Sequence, residues 1–220
     1  MSPPSWLWPL LIFMLALTAV LRSAWFKGWQ GEVVIRLACK FLDPKQYHVI
    51  HNVTLPAPDS GTTQIDHVII SRFGIFAVET KNYGGAIYGS EDDRTWIQAI
   101  GNKKIRFPNP LRQNYRHTRT LSSLLGIPHE KVKSIVVFAG SARLKTKNKL
   151  PENVLTHGLL SHIKSHREAL LSQDEVERAR KLIAETRLAP GLVTRRRHVR
   201  NVRAGHVNAR LGARAKQRRP

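Results

Sequence analysis

The chain has 220 residues, with 36 Lys and Arg against 15 Asp and Glu, for a formal net charge of +21. That length suits one ordinary domain with extensions, and the charge calls for a polyanion nearby, either nucleic acid or anionic lipid. A single cysteine, Cys39, excludes an internal disulfide; among Ile35, Leu37, Phe41 and Leu42 it reads as a small buried hydrophobe.

Residues 1–21 carry no charged side chain, and Trp6–Leu21 is nearly all apolar. Residues 5–26 predict a transmembrane helix, enough to cross a hydrocarbon layer of about 30 Å. Trp6 and Trp8 at one end, with Trp25 and Trp29 at the other, resemble interfacial belts. Basic residues follow the segment and none precedes it, so the amino end faces out and the remainder faces the cytoplasm. A cleaved signal peptide is the rival reading, but it wants a basic start and a small-residue cleavage site, and Leu21-Arg22-Ser23-Ala24 supplies a poor one. The expectation is an uncleaved single-pass anchor over 1–29 in the inner or plasma membrane.

From Gly31 the pattern turns helical, with Val33, Val34, Leu37, Phe41 and Leu42 recurring at three- and four-residue spacing. Glu32 falls in the first turn, where the helix dipole favours a carboxylate, and Asp43-Pro44 ends the helix. Residues 46–55 read as a strand before the turn-rich 56–62. Two runs rich in Ile, Val and Phe then follow, 64–71 and 74–81, separated by Arg72-Phe73. This is a β-hairpin, apolar on both faces and therefore set inside a covered sheet.

The charges in that hairpin are out of place. Alternation puts Asp66 with Val68 and Ile70, Ile65 with His67 and Ile69, and Glu79 with Ile75, Ala77 and Lys81. If Arg72-Phe73 is the loop, Asp66 faces Glu79 and Gln64 faces Lys81. Like charges opposed across a ladder are destabilising, and two buried carboxylates force one pKa up unless a divalent cation lies between them. Mg²⁺ accepts one or two carboxylates, keeps several waters and commonly meets phosphate. Lys81 would orient a water or stabilise charge on a phosphate, which is the chemistry of phosphodiester hydrolysis. A one-residue slip leaves instead a structural Glu–Lys or Asp–Lys pair near a strand end.

Beyond the hairpin, residues 86–90 and 95–100 are short strands around an acidic turn, Glu91–Asp93. Asn109-Pro110 starts a helix that runs to Leu125, with Gly126 closing it. Gln113, Arg116, His117 and Thr120 share one face of it, while Leu121, Leu124 and Leu125 pack. Residues 134–139 form a buried strand, and 153–156 a last short one. The Lys- and Arg-rich loop 140–151 suits contact with a phosphate backbone. Residues 159–171 read as a helix, and Ser172–Glu175 is a capping box opening another through Arg187. His162 and His166 stand four apart but lack a third zinc-spaced ligand, so they are surface histidines. The tail after Pro190 adds ten Lys and Arg and no acid; such a composition stays disordered until it meets nucleic acid or an anionic leaflet.

Several of these pieces resemble one family, the nuclease-related domain (NERD), a branch of the PD-(D/E)xK nuclease superfamily. They are Gly31-Glu32, IDHV at 65–68, GIFAVETK at 74–81, Gly84-Gly85, Trp96 and NPLRQN at 109–114. The resemblance implies an α/β fold, a mixed β-sheet flanked by helices with a restriction-endonuclease-like core. It implies Asp66 and Glu79 as metal ligands, aided by the backbone carbonyl of Thr80, with Lys81 as catalytic lysine. Glu32 and Gln113 match accessory polar positions. The chain then divides into an anchor at 1–29, a nuclease-like domain at 30–188 and a basic tail at 189–220. The leading expectation is a Mg²⁺-dependent enzyme, with Mn²⁺ as substitute, cutting DNA rather than RNA. The alternative is a non-catalytic nucleic-acid-binding module on the same fold.

Overall fold

The computed structural model describes Pro4, residues 6–57 and residues 61–189. Of the basic tail expected at 189–220, all but Ala189 lies outside the described residues.

The apolar start folds as two helices. α1 covers Leu7–Arg22, Ser23 leaves the helix with ψ 146°, and α2 runs Ala24–Cys39. The 16 residues of α1 reach about 24 Å at helical rise, short of a hydrocarbon layer of about 30 Å. Among the described residues no helix is long and apolar enough to cross a membrane, which corrects the expected transmembrane helix. The physical reason is the break at Ser23. α1 nevertheless leaves Trp6, Trp8, Ile12, Phe13 and Leu15 exposed.

Because α2 begins at Ala24, Glu32 lies mid-helix and the expected dipole stabilisation does not reach it. The buried stripe of this segment is also displaced: Ile35, Cys39 and Leu42 are buried, whereas Val34, Leu37 and Phe41 are exposed. Spacing alone fits either stripe, and the sheet selects the one it meets. Gly31 lets α2 approach closely, since a Cβ there would lie 2.6 Å from Asn82 Cβ.

The larger sheet has five strands in the order β1-β2-β3-β7-β9, and the smaller has four, β6-β5-β4-β8. In the first, β1 (Tyr47–Ala57), β2 (Gly61–Ser71) and β3 (Gly74–Lys81) form an antiparallel meander. To it are added β7 (Val132–Phe138), parallel to β3, and β9 (Val154–Leu155), parallel to β7. The second contains β4 (Gly85–Tyr88), β5 (Thr95–Ile100), β6 (Lys103–Pro108) and β8 (Ala142–Leu144). The sequence reading has no counterpart for β6 or β8.

Helices cover both faces of the larger sheet, so its strands read as continuous apolar runs. α3 (Pro110–Leu125) and α5 (Gln173–Thr186) contribute Leu121, Val176, Ala179 and Ile183 to one core, with Val68, Ile70, Ile75 and Ala77. α2 and α4 (Leu159–Ser165) contribute Ile35, Cys39, Leu159 and Ile163 to the other, with Ile69, Phe76 and Val78. α4 is shorter than the helix expected over 159–171. The chain leaves it at His166 so that Leu170 and Leu171 donate to Arg72 O. A third core joins the inner face of the smaller sheet (Ile87, Trp96, Phe107) to Val136 and Phe138 of β7.

Two caps close as expected. Asn109 caps α3 by accepting from Leu111 N, and Gly126 ends it in the left-handed region with φ 62°. Ser172 and Glu175 form the capping box of α5. The Glu91–Asp93 turn serves α3 as well, since Asn109 Nδ2 donates to Asp93 O at 2.6 Å and Glu91 O at 3.0 Å. His162 and His166 are half-buried rather than surface groups: their rings make an edge contact, and His166 packs edge-on against Phe76.

Candidate functional site

The centre of interest begins where the β2–β3 ladder ends. Pairing follows the expected register from Ser71–Gly74 to His67–Val78. There β3 parts from β2 and continues only against β7, so that Lys81 pairs with Phe138 and not with Gln64. Asp66 fills the parting. Its Oδ2 accepts from Thr80 N at 2.8 Å, a carboxylate standing where a strand carbonyl would be.

The phase of β2 changes at the same place. Ile65 packs with Val68 and Ile70 in one core while Ile69 lies in the opposite one, so Ile65 and Ile69 do not share the expected face. The partner position on β1 is Asn52, with φ 53°, between the pairs His51–His67 and Val53–Ile65. A residue in that conformation interrupts the pleat, and alternation resumes on the other side.

Five side chains form a connected network beyond the parting. Glu79 Oε1 accepts from Lys81 Nζ at 2.6 Å, and Lys81 Nζ also donates to Gln113 Oε1 at 3.0 Å. Glu79 Oε2 lies 3.2 Å from His117 Nε2, and His117 Nδ1 lies 2.7 Å from Thr63 Oγ1. Glu79 is only 2% exposed and His117 4%, so these bonds are made away from water and hold their partners firmly. Gln113 and His117, four apart, sit one above the other on α3. The helix is fixed by Asn114, whose buried Nδ2 reaches Ala77 O at 2.9 Å and Ile135 O at 3.0 Å. Sequence reading placed His117 on the polar face of α3 without giving it or Thr63 a place in the site; its spacing from Gln113 was the available signal.

Glu32 comes from the other side of the sheet. With the Asn52 amide oriented to satisfy both neighbours, Asn52 donates to Glu32 Oε2 at 3.2 Å and accepts from Arg36 at 3.0 Å. Nearby, the Nδ1 atoms of His51 and His67 are 2.8 Å apart, and burial followed by the neighbouring His51 pushes His67 down to about 3.

The electrostatics separate the two acids. Burial and then the charge of Glu79 raise Asp66 well above the usual carboxylate range, against the Thr80 N–H. Burial also pushes Glu79 upward, but Lys81 and the bond from His117 outweigh it and hold Glu79 below its ordinary value. Burial works against the Lys81 ammonium, yet Glu79 and then Asp66 raise it. The result is a Glu79–Lys81 ion pair beside Asp66, with the two carboxyls pushed in opposite directions.

The donor set at this point is hard oxygen: the carboxyls of Asp66 and Glu79 and the backbone carbonyl of Thr80. It fits Mg²⁺, which binds through one or two carboxylates and retains waters. The fit is in donor type and charge: burial and then the Glu79 carboxylate raise Asp66, and a bound cation would offset both. Among the described residues no three His, Cys, Asp or Glu side chains group closely enough to hold a metal ion, so water would have to complete the shell.

Fold and site together define a class: an α/β domain with an acid–acid–lysine centre at the carboxyl end of two parallel strands. Within that class, residues 27–139 match the nuclease-related domain (NERD), and the chain belongs to that family. It is 37% identical over 178 residues to an uncharacterized protein of Bacillus anthracis, covering 76% of this chain and 84% of that one. No solved structure matches it.

Proposed function

We propose that this chain is a Mg²⁺-dependent nuclease that hydrolyses phosphodiester bonds in DNA, with Mn²⁺ able to substitute. One observation carries the reading: at the end of β3 Lys81 bridges buried Glu79 and Gln113, and Asp66 takes the neighbouring Thr80 N–H, in a member of a nuclease-related family. Asp66, Glu79 and the Thr80 carbonyl would hold the ion, which when bound supplies Lewis acidity to a phosphoryl oxygen and a more acidic water. Lys81, steered by Glu79 and Gln113, presents a fixed ammonium to the attacking water or to charge developing on the phosphate. His117 and Thr63 fix the Glu79 carboxylate, and Glu32 completes the polar surround.

A second reading, a nucleic-acid-binding module without turnover, draws on a different observation. Both Glu79 oxygens are already engaged, one by Lys81 and one by His117, an arrangement that also suits a purely structural pair. Incubating the full chain with supercoiled plasmid and Mg²⁺ or Mn²⁺, beside Glu79→Gln and Lys81→Ala, separates the two. Cleavage by the parent that both variants lack supports the enzyme. Binding without cleavage, unchanged by either substitution, supports the module.

The reading includes attachment to the inner face of a plasma membrane. The exposed apolar residues of α1, together with exposed Val34, Leu37 and Phe41, would seat in a bilayer surface without crossing it. The basic tail would lie against nucleic acid or anionic lipid in the cytoplasm.

A further inference from the structure

The smaller sheet has two unlike faces. Register and burial place Ile87, Trp96, Gln98, Phe107 and Ala142 inward. The alternate residues face outward, and their pairing gives two rows across the strands. Lys104, Ala99, Ala86 and Arg143 form the first, through the pairs Ala99–Lys104, Ala86–Ala99 and Ala86–Arg143. Arg106, Ile97 and Tyr88 form the second, through Ile97–Arg106 and Tyr88–Ile97. Lys145, whose backbone N–H reaches Ile87 O at 2.8 Å, continues the alternation of β8 beside Tyr88.

The outer face therefore has cations along both edges and a low centre of two alanines, Ile97 and Tyr88. Tyr88 is 42% exposed, and Lys104, Arg106, Arg143 and Lys145 are exposed with no ion pair among the described residues. No carboxylate stands in either row; the acidic turn Glu91–Asp93 lies past the end pair Thr95–Pro108, with Asp93 bonded to Ser90 N. Edge lysines alone are explained as protection against strand pairing. Cations on both edges flanking an exposed tyrosine are not.

We propose that this outer face is a platform for single-stranded nucleic acid. Phosphates would lie along Lys104–Arg106 and Arg143–Lys145, and a base would stack on Tyr88. A sheet face bearing an exposed ring suits unstacked bases, whereas a duplex shelters its base faces. β4 starts at Gly85, separated from Lys81 only by residues 82–84, so this short connection joins the strand of the candidate centre to the smaller sheet. The inference rests on the reading of the chain as acting on nucleic acid and deepens it by naming the form of the substrate.

Binding in EDTA tests it independently of cleavage. Fluorescence anisotropy of the full chain is followed with a labelled oligothymidine and with a blunt duplex of equal length, over a salt series. Tyr88→Ala should weaken single-strand binding by roughly tenfold, with the salt slope unchanged and little effect on the duplex, while Tyr88→Phe retains affinity. Lys104→Ala/Arg143→Ala should lower the single-strand salt slope by about 1.4, and the pair Arg178→Ala/Lys181→Ala on α5 should not match it. The platform is overturned if Tyr88→Ala binds like the parent, or if the α5 pair reduces the slope equally. The latter would leave only diffuse positive charge. Loss of cleavage with Lys81→Ala while binding persists bears on the proposed reaction and leaves the platform standing.

Discussion

Replacing Lys81 by Met removes the ammonium bonded to Glu79, whose side chain is 3% exposed against 17% for Lys81. Removing one partner from a buried ion pair costs about 3–5 kcal/mol, because the other charge is left unpaired. Glu79 has an escape, since it can take a proton. Holding a proton on a carboxyl that ordinarily titrates at 4.5 costs about 3 kcal/mol at pH 7 and under about 1 kcal/mol at pH 5. That route sets the ceiling. The Lys81→Met chain should therefore lose about 3 kcal/mol at pH 7 and recover most of it at pH 5. The sign follows from Glu79 itself: held below its ordinary value in the parent, it stabilises the fold above that value, and the variant forfeits this as pH rises. Glu79→Gln/Lys81→Met should be more stable at pH 7 than Lys81→Met alone. Urea unfolding at both pH values measures all three chains. A loss independent of pH, or a double variant no better than the single, would refute the ion-pair reasoning.

Three further outcomes are expected. His67 titrates at about 3 in the fold and near 6.5 when unfolded, so stability falls as pH drops from about 6.5 toward 3, by up to about 1.4 kcal/mol per pH unit; His67→Gln should flatten this part of a denaturation–pH profile. Burial raises the Cys39 thiol to about 11, so a maleimide at pH 7.5 should label the chain in urea but not the native protein; native labelling at the unfolded rate would contradict the buried placement. Because burial and then Glu79 raise the Asp66 carboxyl well above its usual range, binding of Mg²⁺ or Mn²⁺ should tighten as pH rises and release a proton; calorimetry in buffers of different ionisation enthalpy reads that proton, and its absence would remove Asp66 from the ligand set.

Where sequence succeeded, the decisive interaction was local. The limits of β3 and β5, the Asn109 cap with Gly126 at the other end of α3, and the Ser172–Glu175 box came from turn chemistry and short periodicity. Glu79 and Lys81 share a face because side chains alternate, and the hairpin loop fixed the register as far as His67–Val78; the expected Asp66–Glu79 pair beyond it does not form, and Asp66 takes the Thr80 amide instead. Where it failed, an apolar or basic stretch had two physically acceptable fates. The start of the chain reads as one long helix until Ser23 breaks it, and α2 had two possible stripes, of which the sheet chose Ile35–Cys39–Leu42. β6 was missed although Ile105 and Phe107 alternate with Lys104 and Arg106: the run is short and basic, only Phe107 of it is buried, and its partner β5 supplies the bonds from outside the segment.

By itself, then, the sequence determined the hairpin, the caps, the excess of positive charge and the acid–lysine pattern, all consequences of neighbours within a few residues. Only the tertiary structure decided that β3 leaves β2 at His67–Val78, that Asp66 takes the Thr80 amide in the gap, and that His117 and Thr63 hold Glu79 from α3 and β2. Those contacts join residues 14 and 38 positions apart. What sets them is the packing of α3 against two parallel strands, which no local periodicity encodes.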